Sequence, residues 1–263
     1  MEYVGPRSQP NLASRDLVSA RLQALLLERG DGVLAFDADG TLWSGDVGED
    51  VFHLAVKHAA LHEAAGPELA RVAEQYGIPS QGNPSQIARR LFDAYLSGTF
   101  PERDVCAMMS WCYAGWSVAE LRAFARRAFD ETNLRGRLFQ GLAFVFDLAK
   151  EHGIRTLVVS ASPQAIVEEA VAEWGLDAQD VVACRPALEG DVILPALAAP
   201  VPYAGEKPTA LARATGGRGI LASFGDNVFD FELLRAARLA VAVRPKPGLR
   251  ARLSDLSGIV VLE

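Results

Sequence analysis

Two carboxylates two residues apart carry the clearest chemical signal in this sequence. Asp37 and Asp39 follow the uncharged apolar run at residues 33–36, and Gly40 and Thr41 come directly after them. Such a short run is typical of a strand buried on both faces of a parallel sheet, and ligands bind at the carboxyl ends of these strands. Two acids, a glycine and a hydroxyl at this edge indicate a cation and a phosphate, although a plain Asp-Gly turn would leave the same pattern.

A second apolar run, residues 155–160, leads into two serines. Ser160 lies at the predicted tip of the strand and could offer its hydroxyl to a phosphate. Ser162 precedes Pro163, which is typical of a residue that caps the N-terminus of a helix. We therefore predict a binding role for Ser160 and a capping role for Ser162.

A lysine and two more acids complete the candidate residues. Lys207 precedes Pro208 at the predicted start of a helix, where a solvated surface charge is the ordinary alternative. Asp226 and Asp230 follow the apolar run at residues 219–224 and lie on either side of a turn. Two carboxylates that reach one edge are what a hard cation needs.

The second half of the chain predicts the framework that positions these residues. Strands are predicted at residues 154–160, 181–184, 219–224, 239–243 and 259–262, with helices at residues 138–152, 163–174, 208–214 and 229–237 between them. A loose segment (residues 1–14) and a helix (residues 16–29) precede the first strand, and residues 187–203 predict a hairpin or flap. Strands that alternate with helices predict an α/β fold with a doubly wound parallel sheet.

About ninety residues near the first motif have only helical patterns. Three N-cap patterns mark the helices: Asp46 with Glu49, Asn83 with Pro84, and Ser117 with Glu120. The first of these helices is predicted to extend to Leu61. We therefore predict an α/β core domain of residues 16–44 and 136–263, into which an all-helical cap subdomain of residues 45–135 is inserted.

Composition and charge exclude several classes of protein. The 263 residues are 50% apolar and 22% charged, as is usual for a globular protein, and the net charge of −7 argues against binding to nucleic acid or to an anionic membrane. The three cysteines form no CxxC pair, which predicts free thiols in a reducing compartment. No secretory signal or membrane-spanning stretch is visible, so we expect a cytoplasmic protein, and no pattern indicates its oligomeric state.

Two other patterns predict no site. His53, His58 and His62 fall on one predicted helix, but no further ligand has a spacing suited to zinc, so we expect a solvated helix face. The glycines of residues 216–219 lie between a helix and the next strand, which is the reverse of the order in a dinucleotide-binding loop.

In their order along the chain, these motifs resemble those of the haloacid dehalogenase-like (HAD) superfamily. The four motifs correspond to residues 36–41, residues 159–160, Lys207 and residues 225–230. The helical insert resembles the cap of the phosphoserine-phosphatase-like branch. The resemblance covers nearly the whole chain from about residue 31, and it implies a Mg²⁺-dependent phosphatase that acts on a small phosphorylated metabolite.

The resemblance also implies a role for each motif residue. Asp37 would be the nucleophile that forms an aspartyl-phosphate, and Asp39 would protonate the leaving alkoxide and then activate a water molecule. Mg²⁺ would be held by Asp37, the backbone carbonyl of Asp39 and Asp226. The other motif residues would bind the phosphoryl group or support its binding: Thr41, Ser160 and Lys207, with Asp230 orienting Lys207 or the outer ligands of the metal.

Substrate recognition is expected from the cap. Asp46 lies nine residues after Asp37, where phosphoserine phosphatases carry a glutamate that binds the substrate amine, although Asp46 is equally suited to cap its own helix. Arg89 and Arg90 are candidates for the arginine that binds the substrate carboxylate in that branch. A phosphoserine-like substrate is therefore the first hypothesis.

Three alternatives stay open. The aromatic residues Trp43, Trp111, Tyr113 and Trp116 could bind a quaternary ammonium such as that of phosphocholine, although such a cluster is more often part of a hydrophobic core. Phosphotransferases keep an acid at the position of Asp39, so phosphoryl transfer is the second alternative. The third is a catalytically silent ligand-binding module, and the intact motif residues argue against it.

Overall fold

The computed structural model describes residues 12–28 and 32–263, and its centre is a six-stranded sheet. The strands are β1 (Gly32–Phe36), β2 (Thr156–Pro163), β3 (Val181–Cys184), β4 (Pro186–Glu189), β5 (Val192–Leu197), β6 (Gly219–Gly225), β7 (Ala237–Val243) and β8 (Val260–Leu262). The central sheet is parallel in the order β3-β2-β1-β6-β7-β8, whereas β4 and β5 form a separate antiparallel hairpin. The predicted doubly wound α/β fold is confirmed, and the strand order reverses between β1 and β6.

The central strand β1 is buried on both faces. Leu34 and Phe36 pack into one hydrophobic cluster, and Val33 and Ala35 pack into another on the opposite face. Phe36 is in register with a residue of β2 on one side and with Phe224 of β6 on the other. These three strands therefore end at the same edge of the sheet, which is where the polar motif residues follow them.

The helices cover the sheet and fill the segment after β1. They are α1 (Leu12–Leu27), α2 (Val47–Lys57), α3 (Gly66–Gln75), α4 (Pro84–Leu96), α5 (Glu102–Trp111), α6 (Val118–Glu131), α7 (Leu134–Arg137), α8 (Ala143–Glu151), α9 (Gln164–Val171), α10 (Glu206–Thr215), α11 (Phe231–Ala236) and α12 (Pro247–Arg250). Among the described residues, none of these helices has the length and apolar character needed to cross a membrane.

Residues 45–135, which we call the helical segment, contain helices and turns as their regular elements. Asn83 and Ser117 begin α4 and α6 with reciprocal capping boxes, as predicted. The hairpin is attached to this segment: the Val118 amide donates to the Asp191 carbonyl at 3.0 Å, and the Ile193 amide donates to the Trp116 carbonyl at 2.9 Å. The helical segment also packs on the sheet through α5 and on α9 through α6.

Several element boundaries differ from the predicted ones. Helix α1 already begins at Leu12, within the segment predicted to be loose. Helix α2 ends at Lys57 and not at Leu61, because the chain turns at Ala59 with a left-handed φ of 49°. The helix predicted from residue 138 begins as an α-helix only at Ala143. Arg29 of the predicted first helix, and residues 1–11 of the predicted loose segment, lie outside the described residues.

Candidate active site

A buried lysine joins two carboxylates at the carboxyl edge of the sheet. The Lys207 ammonium donates to Asp37 Oδ1 at 2.6 Å and to Asp230 Oδ1 at 2.5 Å. Lys207 is 4% exposed, so the alternative of a solvated surface charge is wrong. Helix α10 begins at Glu206, before the predicted start at Pro208, and Lys207 therefore lies in the first turn of the helix.

Asp230 also fixes the loop that follows β6. Its Oδ2 accepts hydrogen bonds from the backbone N–H groups of Asp226 at 3.1 Å and of Asn227 at 2.9 Å. A β-carbon at Gly225 would lie 2.5 Å from the Asp230 β-carbon, so only glycine leaves room for this approach. Both oxygens of Asp230 are therefore engaged, one by the lysine and one by the backbone.

Thr41 lies between the two motif acids that follow β1 and β6. Its hydroxyl donates to Asp37 Oδ2 at 3.1 Å and is 3.5 Å from Asp226 Oδ1. Gly40 permits this contact, because a β-carbon at that position would lie 2.1 Å from Asp226 Oδ2. The φ of 89° at Gly40 is a second reason for glycine there.

Lys246 is a member of this cluster that the sequence analysis missed. Its ammonium lies 2.9 Å from Asp226 Oδ2, and its backbone N–H donates to the Asp226 carbonyl at 2.8 Å. The side chain is 54% exposed, unlike that of Lys207. Its position shortly after β7 was an available signal, because β7 is another parallel strand that ends at this edge.

The pKa values of these groups reflect a shortage of positive charge. Burial, followed by the charge of Asp230, raises the pKa of Asp37 well above its ordinary value, although Lys207 acts in the opposite direction. Burial and Asp230 also raise the pKa of Asp226, against the effect of Lys246. Burial by itself would lower the pKa of Lys207, but the charges of Asp230 and Asp37 raise it, and the ammonium stays protonated.

The donor set is suited to a hard divalent cation. Carboxylate oxygens of Asp37, Asp226 and Asp230 lie within 4.8 Å of one another, and all three residues are buried. Mg²⁺ prefers such oxygen ligands, and a divalent charge would offset the excess of carboxylates. Asp230 is held most firmly, by Lys207 and by two backbone N–H groups. Asp37 and Asp226 each pair with one lysine and share only the Thr41 hydroxyl, at 3.1 and 3.5 Å, so they are better placed to bind a metal.

Asp39 is held by three donors. Its Oδ1 accepts from the Trp43 indole N–H and from the Val47 amide, each at 2.8 Å, and its Oδ2 accepts from the Ser162 hydroxyl at 2.7 Å. The predicted capping role of Ser162 is therefore wrong, since α9 has no side-chain cap and the hydroxyl binds Asp39. Trp43 and Ser162 are further site residues that the sequence analysis did not identify.

Ser160 lies at the same edge. It is buried, its hydroxyl oxygen accepts from the Ser162 amide at 3.0 Å, and it lines the cavity above Asp37. The hydroxyl proton of Ser160 can point away from this bond toward a ligand oxygen. The geometry therefore agrees with the predicted phosphate-binding role, which stays a prediction.

A cavity of about 520 Å³ opens above these residues. Its floor, which we call the core edge, includes Asp37, Asp39, Lys207, Asp226 and Lys246. Its opposite side, which we call the cap wall, consists of the lining side chains from the helical segment: Asp46, Glu49, Tyr95, Glu102 and Cys106. The cavity thus lies between the sheet and the helical segment.

Asp46 belongs to the cap wall and also caps α2. Its Oδ1 accepts from the Glu49 amide at 2.9 Å, so the capping interpretation is confirmed. Burial, followed by the charges of Asp39 and Glu49, raises the pKa of Asp46 well above its ordinary value. The predicted amine-binding role of Asp46 stays a prediction, since the residue lines the cavity as well.

The two predicted carboxylate-binding arginines do not line the cavity. Arg89 is exposed, and Arg90 donates to the carbonyls of Pro79 and Gln81 in the loop before α4. In this structure neither arginine reaches the cavity, and the predicted contact of one of them with the substrate carboxylate stays a prediction. The reason is local, because Arg90 satisfies the backbone of its own loop.

The aromatic cluster and the histidines have structural positions. Trp43, Trp111 and Tyr113 are buried in the main hydrophobic cluster, and Trp116 packs against it, so the core interpretation is confirmed. None of these four lines the cavity. The three histidines are exposed as expected, but they do not share one helix, because α2 ends before His58 and His62 caps the next turn.

The chain matches the family model of the haloacid dehalogenase-like hydrolases over residues 34–235. The matched region contains most of β1, the strands β2 to β6, the helical segment and the motif residues from Asp37 to Asp230. The fold is a doubly wound α/β fold with an acidic site at its carboxyl edge, and the protein belongs to the haloacid dehalogenase-like hydrolase family. No curated protein matches the chain significantly.

Several solved structures share the fold. A protein of unknown function from Bordetella pertussis Tohama I is 20% identical, with a TM-score of 0.66 over 89% of this chain and 99% of that one. A functionally unknown protein from Anaerococcus prevotii is 15% identical, with a TM-score of 0.66 over 94% of each chain. A probable phosphoserine phosphatase from Vibrio cholerae is 12% identical, with a TM-score of 0.53 over 87% of this chain and 60% of that one. The predicted similarity to the phosphoserine-phosphatase-like branch is therefore confirmed at the level of the fold.

Proposed function

We propose that this hydrolase is a Mg²⁺-dependent phosphatase that cleaves a small phosphomonoester through an aspartyl-phosphate on Asp37. The observation that carries the proposal is the fixed position of Asp37 at the floor of the cavity. One of its oxygens is bound by the buried Lys207 ammonium and the other by the Thr41 hydroxyl. A nucleophile held on both sides loses little further entropy when the substrate reacts.

The first step transfers the phosphoryl group to the protein. An oxygen of Asp37 forms a bond to phosphorus, and the bond between phosphorus and the ester oxygen breaks. Asp39 gives a proton to the departing alkoxide, so that a neutral alcohol leaves. The two donors on Asp39 Oδ1 are N–H groups that cannot accept, so the transferable proton resides on Oδ2, beside a Ser162 hydroxyl that can either donate or accept.

The second step returns the protein to its starting state. Asp39, now ionised, removes a proton from a water molecule whose oxygen attacks phosphorus. The bond between phosphorus and Asp37 breaks, and inorganic phosphate leaves. Asp37 is then a free carboxylate again, and Asp39 carries the proton taken from the water molecule. Lys207 and the hydroxyls of Thr41 and Ser160 hold the phosphoryl oxygens during both steps.

A metal is part of the proposal because one base is insufficient for this chemistry. Phosphate monoesters need rate accelerations of up to about 10²¹, whereas general acid–base catalysis contributes only about 10²–10⁴. Mg²⁺, held by Asp37 and Asp226, would offset the negative charge of the nucleophile and of the phosphoryl oxygens. The excess of buried carboxylate over ammonium at this edge supports the assignment.

Hydrolysis of p-nitrophenyl phosphate tests the proposal. Chelation should abolish turnover, and added Mg²⁺ should restore it. Asp37→Asn should lower kcat by at least about a thousandfold, because the amide is isosteric but cannot attack phosphorus. Acid quenching during turnover should trap phosphate on the wild-type protein and none on the variant.

Two outcomes would contradict the proposal. Retention of more than about a tenth of the activity in Asp37→Asn would exclude covalent catalysis by this residue. Full activity of the chelated protein would exclude the metal. The same assay separates the alternatives: a shortfall of inorganic phosphate upon addition of an acceptor alcohol indicates phosphoryl transfer, and no turnover of any phosphomonoester indicates a silent binding module.

A further inference from the structure

The two sides of the cavity differ in their basic side chains. Among the described residues, the cap wall holds three carboxylates, Asp46, Glu49 and Glu102, and no basic side chain. The basic side chains that line the cavity all come from the last part of the chain: Lys207, Arg244 and Lys246. A ligand that spans the cavity therefore meets every lining basic side chain at its phosphate end and only acids among the charged groups at the cap wall.

The acids of the cap wall repel one another. Burial, followed by the charges of Asp39, Asp50 and Glu102, raises the pKa of Glu49. Burial also raises the pKa of Glu102, which Lys246, Lys207 and a hydrogen bond from Tyr203 only partly offset. A positively charged group placed among these acids would offset the free-energy cost of burying the ionised carboxylates as well as their mutual repulsion.

Two tyrosines complete the same part of the cavity. Burial and the charges of Glu102 and Glu49 raise the pKa of Tyr95 to about 12, so its ring stays neutral. Tyr203 packs against Phe229 with ring centroids 4.6 Å apart, and both residues line the cavity. Neutral aromatic rings beside carboxylates are a favourable environment for an organic cation.

Among the described residues, a substrate carboxylate at the cap wall has no basic partner. Two of the three basic groups on the opposite side are already engaged: Lys246 pairs with Asp226, and Lys207 bridges two acids. Arg244 donates to the Gly40 carbonyl at 3.1 Å, and its guanidinium lies 4.1 Å from the centre of the Phe139 ring. Its Nε–H has no partner in the part of the chain that the structure describes, but the residue follows β7 and does not belong to the cap wall. A carboxylate at the cap wall would instead face Glu49 and Glu102, and neighbouring like charges in a buried site are destabilising.

We infer that the substrate is the phosphate monoester of a small alcohol that bears a positively charged nitrogen and no carboxylate. The inference rests on the proposed function, because the same cavity must place the phosphate on Asp37. It replaces the phosphoserine-like hypothesis with aminoalkyl or quaternary ammonium alkyl phosphates as the substrate class. Phosphoethanolamine and phosphocholine are suitable probes, because they differ in whether the nitrogen can donate hydrogen bonds to the carboxylates.

Kinetic comparison gives the first test. The wild-type protein should have a kcat/KM for phosphoethanolamine or phosphocholine at least about tenfold above that for phosphoserine, as one charge-assisted contact is worth about tenfold or more. Glu102→Gln should lower the ratio of kcat/KM for that amine substrate to kcat/KM for p-nitrophenyl phosphate by about 5- to 100-fold. Asp93→Asn is the matched control, because Asp93 is an exposed acid of the helical segment, and it should leave both constants unchanged.

Binding gives a second test that does not depend on turnover. Isothermal titration of Asp37→Asn with each phosphate ester, in the presence of Mg²⁺, should give tighter binding for the amine esters than for phosphoserine. Phosphoserine bound or hydrolysed as well as the amine esters would overturn the inference, and so would an unchanged substrate ratio in Glu102→Gln. Absence of p-nitrophenyl phosphate hydrolysis would refute the proposed function alone, and the titration would still decide which class of ester the cavity prefers.

Discussion

The core edge and the cap wall face one cavity, but they differ in how their charges are satisfied. At the core edge, Asp37 and Asp230 share the Lys207 ammonium, and Asp226 is paired with Lys246. At the cap wall, other acids and tyrosines lie beside Glu49 and Glu102, and Lys246 offsets their charge only in part. At the core edge, these carboxylates are paired with lysines before any ligand binds. At the cap wall, the charges of the acids are fully compensated only when a cation binds beside them.

This difference separates chemistry from recognition. Substitutions at the core edge should lower the turnover of every phosphomonoester by the same factor, because the phosphoryl group is common to all of them. Substitutions at the cap wall should change the preference between substrates. The following predictions test whether the two sides can be separated in this way.

The largest effect is expected for Lys207→Met. Removal of the ammonium leaves Asp37 and Asp230 buried without their shared cation, which should lower the free energy of unfolding by about 3 kcal/mol. It also removes a positive group beside the phosphoryl oxygens, so kcat should fall by about a hundred- to a thousandfold. Urea unfolding and the hydrolysis of p-nitrophenyl phosphate measure the two effects.

Lys150→Met is the control for this substitution, because Lys150 is an exposed lysine at the end of α8. It should change neither the stability nor the activity. If Lys207→Met lowered the activity only toward amine esters and not toward the aryl ester, the core edge would take part in substrate choice, and the separation of the two sides would fail.

The next effect concerns metal affinity. Asp226→Asn should raise the Kd for Mg²⁺ by about 10- to 100-fold, as is usual when a metal site loses a ligand charge or its support. Lys246→Met should act in the opposite direction and lower that Kd about two- to fivefold, because its half-exposed ammonium occupies Asp226 Oδ2 at 2.9 Å. Calorimetric titration with Mg²⁺ measures both, and a change of the same sign in the two variants would refute the assignment of Asp226 as a ligand.

Ser162→Ala should have a smaller effect on catalysis. Asp39 Oδ2 would lose the donor at 2.7 Å that orients it, and the expected cost is about 1–2 kcal/mol, or about 5- to 30-fold in kcat. The loss should be the same for phosphoethanolamine and phosphoserine, because each releases an alkoxide that Asp39 protonates. A variant with unchanged kcat but a lower melting temperature would indicate that Ser162 stabilises the fold only.

The core edge was well predicted from the sequence, because a parallel sheet restricts where the residues that follow its strands can lie. Each motif acid follows a short apolar run, and the carboxyl ends of parallel strands must meet at one edge. The helix that presents Lys207 was also predicted, with an error of two residues at its start. The doubly wound sheet follows from the same alternation of strands and helices.

Apart from Asp46, the cap wall could not be predicted in this way. Glu49, Tyr95 and Glu102 lie on three different helices, and no local spacing records that they face one cavity. Ser162 was misassigned because a cap and a long-range donor require the same residue type before a proline. Trp43 was assigned to an aromatic cluster, but its indole N–H donates to Asp39. The two residues are only four positions apart, yet a tryptophan at this spacing does not by itself indicate such a hydrogen bond.

The smallest effect is expected for Arg90→Ala, which tests the residue that sequence reasoning placed at the substrate carboxylate. Its guanidinium binds the carbonyls of Pro79 and Gln81, so the substitution should lower the free energy of unfolding by no more than about 1 kcal/mol. The kcat/KM for phosphoserine and for phosphoethanolamine should each stay within about twofold of wild type, since a surface change away from the site leaves catalysis intact. Arg103→Ala is the control, because Arg103 is an exposed arginine of α5. A loss of more than about tenfold for phosphoserine alone would mean that Arg90 reaches the substrate in a more closed state of the helical segment. The cap wall would then gain a cation on closure, and its contrast with the core edge would no longer hold.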